Sequence, residues 1–264
     1  TILFVQSTPQ GLVDALNMEI SELHVMANEV HAEVANEELN TVDNGYLATW
    51  IDADGVGCKQ LDTVAREQEL FEGYTIHLLQ ELLPKNSQLV VANSMSIRDM
   101  DYFWSGNRHS AIIYGNRGVN GIDGTVSTAL GIATNGMPTV LLTGDLTFFH
   151  DLNGLAVAKT HPLNVTIIVH NNDGGGIFEY LPQKGTPYFD YLFSTAQGLD
   201  YSGLATLYGI DFVCVSSNDE LKNALQNYVG TAGVHVIEIP TSKERSRELH
   251  ALYTTIPTNK EDQL

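Results

Sequence analysis

Short apolar runs alternate with segments of helical periodicity, and this alternation limits most strongly what the chain can fold into. Runs rich in valine, isoleucine and leucine occur at residues 89–92, 111–114, 139–143, 165–169, 212–215 and 234–239. Helical spacing of apolar residues marks segments 61–83, 125–133, 151–160, 201–208 and 220–229. Parallel strands need crossover connections, which are usually helices. The pattern therefore predicts an α/β fold with a doubly wound, mainly parallel sheet.

The first 57 residues lack this alternation, and we interpret them as the tail of a middle domain and a linker. This helical or linker extension is predicted to contain an amphipathic helix at residues 11–35. Two aspartates and two glycines predict a loop at residues 50–57. The sheet domain is assigned to residues 58–253, and residues 254–264 are interpreted as a C-terminal tail.

The composition narrows the class of protein. With 13 basic and 32 acidic residues, the net charge is −19, which disfavours nucleic acid and anionic lipid as partners. No stretch approaches the length of a membrane span. The two cysteines, Cys58 and Cys214, lack metal-ligand spacing, which is usual in a reduced protein, and we expect a cytoplasmic location. The N-terminus has neither a signal-peptide pattern nor an initiator methionine, so we expect a processed chain or a piece of a longer one.

Polar residues that directly follow two of the predicted strands indicate a binding site. Asp145 follows the run at 139–143, and Asn172 follows the run at 165–169 just before three glycines. In open α/β sheets, ligands bind at the carboxyl ends of the strands. Two oxygen donors and a flexible glycine carbonyl suit a hard cation such as Mg²⁺, which often holds phosphates. These residues therefore predict a metal site that holds a diphosphate.

Other cofactor motifs explain the chain less well. Gly118, Gly121 and Gly124 follow a predicted strand and permit a dinucleotide-binding interpretation, in which Asp145 holds a ribose. The dinucleotide fingerprint requires its second glycine earlier, and it leaves the segment around Asn172 unexplained. A Walker A loop and a G-x-S-x-G elbow are both absent. Since no side chain has the setting of a covalent nucleophile, we expect a cofactor to carry the reactive atom.

Three of the arginines cluster in the sequence. Arg98, Arg108 and Arg117 fall within 20 residues of an otherwise acidic chain. Such a cluster can gather anionic ligands, since arginine presents a fork that matches carboxylates. The alternative is an exposed loop in which the arginines form surface ion pairs.

The Gly-Asp and Asn-Asn pairs described above resemble the motif of thiamine-diphosphate-dependent enzymes. In that family the aspartate, the second asparagine and a backbone carbonyl bind Mg²⁺ or Mn²⁺, which holds the cofactor's diphosphate. The resemblance implies that Asp145, Asn172 and the carbonyl of Gly174 bind the metal. Leu146 stands where the family motif has its second glycine.

Further motifs resemble one branch of that family, 2-succinyl-5-enolpyruvyl-6-hydroxy-3-cyclohexene-1-carboxylate synthase, a transferase of menaquinone biosynthesis. They lie at residues 93–99, 116–124, 144–147, 151–153 and 171–178. The resemblance implies the diphosphate-binding domain of the thiamine diphosphate fold. It also implies decarboxylation of 2-oxoglutarate on thiamine diphosphate and addition of the succinyl-semialdehyde unit to isochorismate.

The resemblance assigns roles to residues that surround the motif. It implies that Arg98 and Arg117, helped by Ser94, bind substrate carboxylates. Arg108 matches no family motif, and we leave it as a surface residue. The residues implied to contact the cofactor are Ile122, Gly144, Asp145, Leu146, Thr147, Asn172, Gly174, Gly175 and Ile177.

Three apolar residues receive more specific roles from the same resemblance. It implies that Ile122 wedges between the two rings of the cofactor and holds it bent. It further implies that Ile177 and Phe178 line an apolar wall beside the reacting carbons. Ordinary hydrophobic packing is the alternative for all three.

The family's activating glutamate lies on a pyrimidine-binding domain that the resemblance does not cover, and it acts across a subunit interface. We therefore expect a homo-oligomer, dimeric or tetrameric, and no carboligation by the isolated chain. Two alternative functions stay open. One is another thiamine-dependent enzyme, such as a 2-keto acid decarboxylase or an acetolactate synthase relative. The other is a non-catalytic module that binds the cofactor.

Overall fold

The computed structural model describes residues 44–104 and 111–255. The chain divides into two compact units, Thr1–Val56 and Gly57–Leu264. The described part of the first unit belongs to helix α1, Asn44–Asp62.

Some of the sequence predictions fall outside the described residues. They concern the amphipathic helix at residues 11–35, the surface position of Arg108, and most of the C-terminal tail, of which residues 256–264 are not described.

The second unit is built on a six-stranded sheet in which the described strands all pair in parallel. The strands are β1 (Gln88–Val91), β2 (Ile112–Gly115), β3 (Thr139–Gly144), β4 (Asn164–Asn171), β5 (Asp211–Cys214) and β6 (Gly233–Pro240). Their order across the sheet is β2-β1-β3-β4-β6-β5. The predicted fold class is confirmed, and each strand boundary lies within two residues of its prediction.

Helices precede, connect and follow the strands of this sheet. They are α2 (Glu72–Leu82), α3 (Met95–Phe103), α4 (Thr125–Ile132), α5 (Asp145–His150), α6 (Leu204–Tyr208), α7 (Asn218–Tyr228) and α8 (Lys243–Thr254). Short 3₁₀ segments lie at Thr63–Arg66, Leu152–Lys159, Gly176–Tyr180 and Tyr201–Gly203, and a π-helical turn at Asp190–Ser194. Among the described helices, none combines the length and the apolar character that crossing a bilayer requires.

Helices cover both faces of the sheet. Successive strand residues point to opposite sides, so each strand contributes side chains to both layers. Val91 and Leu142 pack on one face with side chains of α2, α3, α7 and α8. Val90 and Leu141 pack on the other face with side chains of α4, α5 and α6. Burying one such side chain stabilises the fold by about 1.5–3 kcal/mol. The inner strands β1, β3, β4 and β6 are buried on both faces and are therefore mostly apolar, which explains their apolar runs, whereas the edge strands β2 and β5 are more exposed.

The strand order creates a crevice at the carboxyl edge of the sheet. From β1 the chain adds β2 on one side and then β3 on the other, so the connections after β1 and β3 diverge. Ligands bind in the crevice that such a switch point leaves open. The segments after β1, β3 and β4 all begin at this edge.

The predicted continuous helix over residues 61–83 is wrong. Helix α1 ends at Asp62, and α2 begins only at Glu72. Between them the carboxylate of Glu67 accepts the backbone N–H groups of the two following residues, at 2.6 and 2.9 Å, which diverts the chain from a helix. Phe71 then adopts an extended backbone and buries its ring to 1% exposure. Burial of this ring outweighs the local helical preference.

The predicted loop at residues 50–57 is also wrong, since this segment lies inside α1. Glycine and aspartate lower helix stability by only about 0.7–1 kcal/mol each, and no proline interrupts the segment. The segment predicted as a helix at residues 151–160 forms instead the 3₁₀ segment Leu152–Lys159, and the α-helix α5 lies before it, at Asp145–His150.

Helix α8 was not predicted from the sequence. The hydroxyl of Ser242 caps it by accepting the N–H of Arg245 at 3.3 Å. Its first turns are strongly polar, and its buried apolar side chains, Leu249 and Tyr253, come only near its end. The stretch with helical spacing of apolar residues is therefore short, although Ser242 is a recognisable N-cap residue in the sequence.

Candidate active site

A cavity of about 240 Å³ opens at the carboxyl ends of β1, β3 and β4. The structure brings most of the predicted site residues to its wall. These residues are Ser94, Ile122, Gly144, Asp145, Leu146, Thr147, Asn172, Gly174, Gly175, Ile177 and Phe178. They come from four separate segments of the chain, which meet because parallel strands place their carboxyl ends at one edge.

Asp145 lies where β3 ends and α5 begins, with 5% of its surface exposed. Its Oδ2 accepts the backbone N–H of Gly174 at 2.7 Å, and its Oδ1 accepts that of Leu146 at 2.8 Å. Burial raises the pKa of Asp145 to about 6, although both N–H donors act in the opposite direction. A cation beside this carboxylate would offset the cost of its burial.

Asn172 supplies a second oxygen to the same cavity. Its Oδ1 is buried and has no hydrogen-bond partner in the part of the chain that the structure describes. Leaving a buried acceptor unpaired costs about 1–3 kcal/mol. The neighbouring Asn171 points elsewhere, since its Nδ2 donates to the Glu238 carboxylate. An orphaned amide oxygen in a cavity is a suitable ligand for a hard cation.

The glycine loop after β4 is held in a conformation that other residues adopt only with strain. Gly174 has φ of 135°, and a Cβ there would lie 2.0 Å from the carbonyl oxygen of Ser194. The N–H of Gly175 donates to that carbonyl at 2.7 Å. Lys243 Nζ donates to the carbonyl of Asp173 at 2.7 Å and also to the Ser194 hydroxyl. The loop is therefore fixed from outside the cavity before any ligand binds.

Ser94 lines the cavity directly before the first residue of helix α3. Its backbone has φ of 68°, an uncommon conformation for a residue other than glycine, which costs about 1–3 kcal/mol. Arg98 Nη1 donates to the carbonyl oxygen of Ser94 at 2.7 Å. Strain of this kind persists where surrounding contacts enforce it, and it is common at binding sites.

The two predicted carboxylate-binding arginines are exposed and do not line the cavity itself. Each is anchored to a residue that does. Arg98 contacts Ser94, as described above, and Arg117 Nη1 donates to Oδ1 of Asn93 at 2.8 Å. The Nδ2 of Asn93 in turn donates to the carbonyl of Gly121. Asn93 therefore connects Arg117 and the loop of Ile122 to the end of β1.

Buried polar residues at the cavity were missed from the sequence. Glu72, Asp99 and His170 line it, with exposures of 4%, 1% and 4%. Glu72 accepts hydrogen bonds from Thr241 Oγ1 at 3.1 Å and Ser246 Oγ at 2.8 Å. His170 lies near the end of strand β4.

Burial shifts the pKa of two of these residues, His170 and Asp99. Burial lowers the pKa of His170, whose Nε2 lies 3.0 Å from the hydroxyl of Thr75. Burial raises the pKa of Asp99 to about 6, against a hydrogen bond with His250. Glu72 lies on helix α2, where no motif marks it, and Asp99, on α3, ends the motif at residues 93–99, which assigns no role to it. Only the packing of those helices on the sheet brings them to the cavity.

The donor set fits a hard divalent cation. Within residues 44–104 and 111–255, no three histidine, cysteine, aspartate or glutamate side chains gather as a metal centre. The predicted ligands are of a different kind, namely one carboxylate, one amide oxygen and one backbone carbonyl. Mg²⁺ is commonly held by one or two carboxylates together with substrate phosphates. Asp145 and the orphaned Asn172 oxygen meet that requirement.

Comparison with known proteins gives a consistent result. The family described as "Thiamine pyrophosphate enzyme, C-terminal TPP binding domain" matches residues 94–239. The chain is 53% identical over 213 residues to the 2-succinyl-5-enolpyruvyl-6-hydroxy-3-cyclohexene-1-carboxylate synthase of Lactococcus lactis subsp. cremoris SK11, covering 80% of this chain and 38% of that protein. It is 47% identical over 253 residues to the protein of the same name in Lactococcus lactis subsp. lactis IL1403, covering 96% and 45%.

The chain thus spans less than half the length of these curated relatives. Among solved structures, benzoylformate decarboxylase from Polynucleobacter necessarius superposes with a TM-score of 0.52 at 23% identity. That match covers 65% of this chain and 33% of the other, and it supports the fold.

Proposed function

The chain belongs to the thiamine pyrophosphate enzyme family, and we propose that it is the diphosphate-binding part of a carboligase that joins 2-oxoglutarate to isochorismate. The observation that carries this proposal is the pairing of Asp145 with Asn172 in one cavity. A buried carboxylate and an orphaned amide oxygen meet there beside the Gly174 backbone. These are the oxygen donors that would hold Mg²⁺, or Mn²⁺, and through it the cofactor's diphosphate.

Thiamine diphosphate supplies the electron sink for decarboxylation and carbon–carbon bond formation when it is bound. The protein's part is to hold the reactants in place and to exclude water. Asp145, Asn172 and the Gly174 carbonyl would hold the metal, with Gly144, Leu146, Thr147 and Gly175 forming the surrounding cavity wall. Ile122, Ile177 and Phe178 line the same cavity and would keep the space beside the reacting carbons apolar.

The arginines would bind the substrate carboxylates. Both substrates in the proposed reaction carry carboxylates, and arginine can bind these through two parallel hydrogen bonds. Arg98 and Arg117 are exposed beside the cavity. Arg98 donates one hydrogen bond to Ser94, and Arg117 donates one to Asn93. Their remaining N–H groups can reach a ligand. Two carboxylate-binding arginines favour this reaction over carboligation of pyruvate-type substrates, which carry fewer carboxylates.

The alternatives make different predictions. Another thiamine-dependent decarboxylase or acetolactate synthase relative would bind the cofactor but show no preference for 2-oxoglutarate. A non-catalytic module would bind the cofactor, or merely dimerise, and show no turnover in any assembly. The identities to the Lactococcus lactis relatives support the carboligase over both.

The proposal includes an activating glutamate, which the cavity lining among the described residues does not supply. Glu72 lines the cavity, but both of its carboxylate oxygens already accept hydrogen bonds from hydroxyl groups. We therefore propose that the glutamate comes from a pyrimidine-binding domain, across a subunit interface of a homo-oligomer. On this basis the 264-residue chain alone should be inactive.

The test uses a chimera in which this chain replaces the segment that it matches in the Lactococcus lactis IL1403 relative. The chimera should convert 2-oxoglutarate and isochorismate with thiamine diphosphate and Mg²⁺, and the isolated chain should not. A matched chimera carrying Asp145→Asn should assemble equally well and show no product. Turnover by the isolated chain, or a folded chimera that decarboxylates only pyruvate, would refute the proposal.

A further inference from the structure

We propose that His250 is a positioning residue, which holds two walls of the cavity in register from helix α8. One wall is α3, which carries Ser94 and Arg98. The other is the turn Gly176–Tyr180, which carries Ile177 and Phe178. What these walls bind rests on the proposed function, but the coupling between them rests on the contacts of His250 alone.

The first contact joins α8 to α3. His250 Nε2 lies 2.7 Å from Oδ1 of Asp99, and their side chains are 4% and 1% exposed. His250 Nδ1 lies 2.7 Å from the carbonyl oxygen of Ser246, which can only accept a hydrogen bond. Nδ1 must therefore carry a hydrogen, and the ring orientation is fixed from both sides.

Asp99 transmits this contact to the cavity. It directly follows Arg98 in α3, and it lines the cavity together with Ser94. Its Oδ2 is buried without a hydrogen-bond partner among the described residues, so the bond to His250 satisfies the oxygen that remains. Loss of His250 would leave the Asp99 carboxylate buried and unpaired, and α3 would have to shift to expose it.

The second set of contacts is aromatic and reaches the other wall. The His250 ring lies 5.5 Å from the ring of Phe103 in α3 and 5.8 Å from the ring of Tyr180 in the turn. It also lies 5.0 Å from Phe71, edge to face. Rings at these distances attract one another and pack with defined geometry. One imidazole thus contacts both the helix of Arg98 and the turn of Phe178.

The strained backbone of Ser94 makes this coupling consequential. A φ of 68° persists only while neighbouring contacts enforce it. Arg98 holds the Ser94 carbonyl from within α3, so the position of α3 sets where Ser94 and Arg98 lie relative to the cavity. Loosening α3 should therefore weaken carboxylate binding more than it slows the chemical step.

The test compares His250→Gln with a matched control, His235→Gln. His235 is equally buried and bonds to an aspartate, Asp211, at 2.8 Å, but it lies near the amino end of β6, away from the cavity. Hydrogen exchange of the 264-residue chain is read by mass spectrometry. His250→Gln should speed exchange in peptides spanning residues 93–104 and 176–182, and His235→Gln should leave both at the rate of the unaltered chain.

A second variant guards against loss of folding. Asp99→Asn keeps the size of the side chain and one acceptor oxygen, so the fold should survive even if His250→Gln does not fold. It should also speed exchange in residues 93–104, though to a smaller extent. Unchanged protection of both segments in a folded His250 or Asp99 variant overturns the inference.

Kinetics of the chimera described above supply the readout that a purely structural role would not move. His250→Gln should raise KM for 2-oxoglutarate about tenfold while kcat changes less than about threefold. A fall in kcat at constant KM would indicate only a smaller folded fraction and would contradict the inference. If the unaltered chimera shows no carboligation, the proposed function fails, and the exchange data still decide the role of His250.

Discussion

The backbone N–H of Gly174 donates a hydrogen bond of 2.7 Å to the Asp145 carboxylate, although the two residues are 29 positions apart. The bond joins the end of β3 to the loop after β4, two strands that pair in parallel register. It places a glycine backbone beside a buried carboxylate, and it makes the cavity depend on a residue that has no side chain.

Replacing Gly174 with alanine should destabilise the protein by more than about 2 kcal/mol. The new Cβ would lie 2.0 Å from the Ser194 carbonyl, and the φ of 135° is strained for any other residue. Chemical denaturation followed by circular dichroism measures the free energy of unfolding. Gly131→Ala is the control, because its Cβ meets nothing within 4 Å inside a helix. That control should stabilise by about 0.5–1 kcal/mol, and a neutral Gly174→Ala would contradict the loop geometry.

Asn172→Ala should weaken Mg²⁺-dependent binding of thiamine diphosphate without destabilising the fold. Its Oδ1 has no protein partner among the described residues, so removing it relieves a buried unpaired acceptor. Calorimetric titration of the chimera should show affinity lowered by at least about tenfold. Asn164→Ala, at the amino end of the same strand, also removes a buried unpaired oxygen and should leave cofactor binding unchanged. Equal affinities in the two variants would exclude Asn172 as a ligand.

Arg98→Ala and Arg117→Ala should each lower kcat/KM for carboligation in the chimera. Loss of a two-bond carboxylate contact in a desolvated site costs about 2–4 kcal/mol, or roughly 30- to 1,000-fold. Arg245→Ala is the control, since the ion pairs of Arg245 within the described part of the chain are with the exposed Glu69 and Glu248. Exposed pairs contribute about 0–1 kcal/mol, so activity should persist. Arginine variants that match this control would remove the assignment to substrate carboxylates.

The Asp99 and His250 pair should make stability fall as pH rises. Burial raises the pKa of Asp99 from 3.8 to about 6, so the folded protein keeps a proton that the unfolded chain has lost. Burial by itself would lower the pKa of His250, but the bond to Asp99 and the charges of Asp99 and Glu72 raise it overall. Both shifts favour the folded state at low pH, and this stabilisation is lost as pH rises through the folded pKa values.

Thermal denaturation between about pH 5 and about pH 8 measures this dependence. The double variant Asp99→Asn with His250→Gln should show a flatter curve than the unaltered chain. Glu72 and His170 face the same region and remain in both proteins, so the difference between the curves reports the pair together with its charge interactions with these neighbours. Parallel curves for the two proteins would show that the pair does not titrate differently on folding.

The sequence was sufficient to predict a structural feature where one short segment contains all the residues that determine it. A strand buried on both faces needs consecutive apolar side chains, and this explains why residues 165–169 were recognised as part of β4. Asp145 and Asn172 were found for a related reason, since each directly follows such a strand. Parallel pairing then requires both to lie at one edge of the sheet.

Other features depended on contacts between distant segments. Helix α8 has few apolar residues and was missed, yet its His250 contacts both α3 and the turn at Tyr180. The break before α2 depended on burial of the Phe71 ring, which outweighs helical propensity over residues 61–83. Glu72 belongs to no motif, Asp99 has no role in the motif at residues 93–99, and helix packing brings both to the cavity.

The sequence by itself determined the sheet, the two oxygen donors at its edge and the glycines that follow the second donor, because strand burial and ligand chemistry leave local patterns. Only the tertiary structure shows which buried ionisable residues line the cavity and which contacts hold its walls in position. Those features depend on contacts between segments that are far apart in the chain. The residues that make such contacts show no periodic pattern in the sequence.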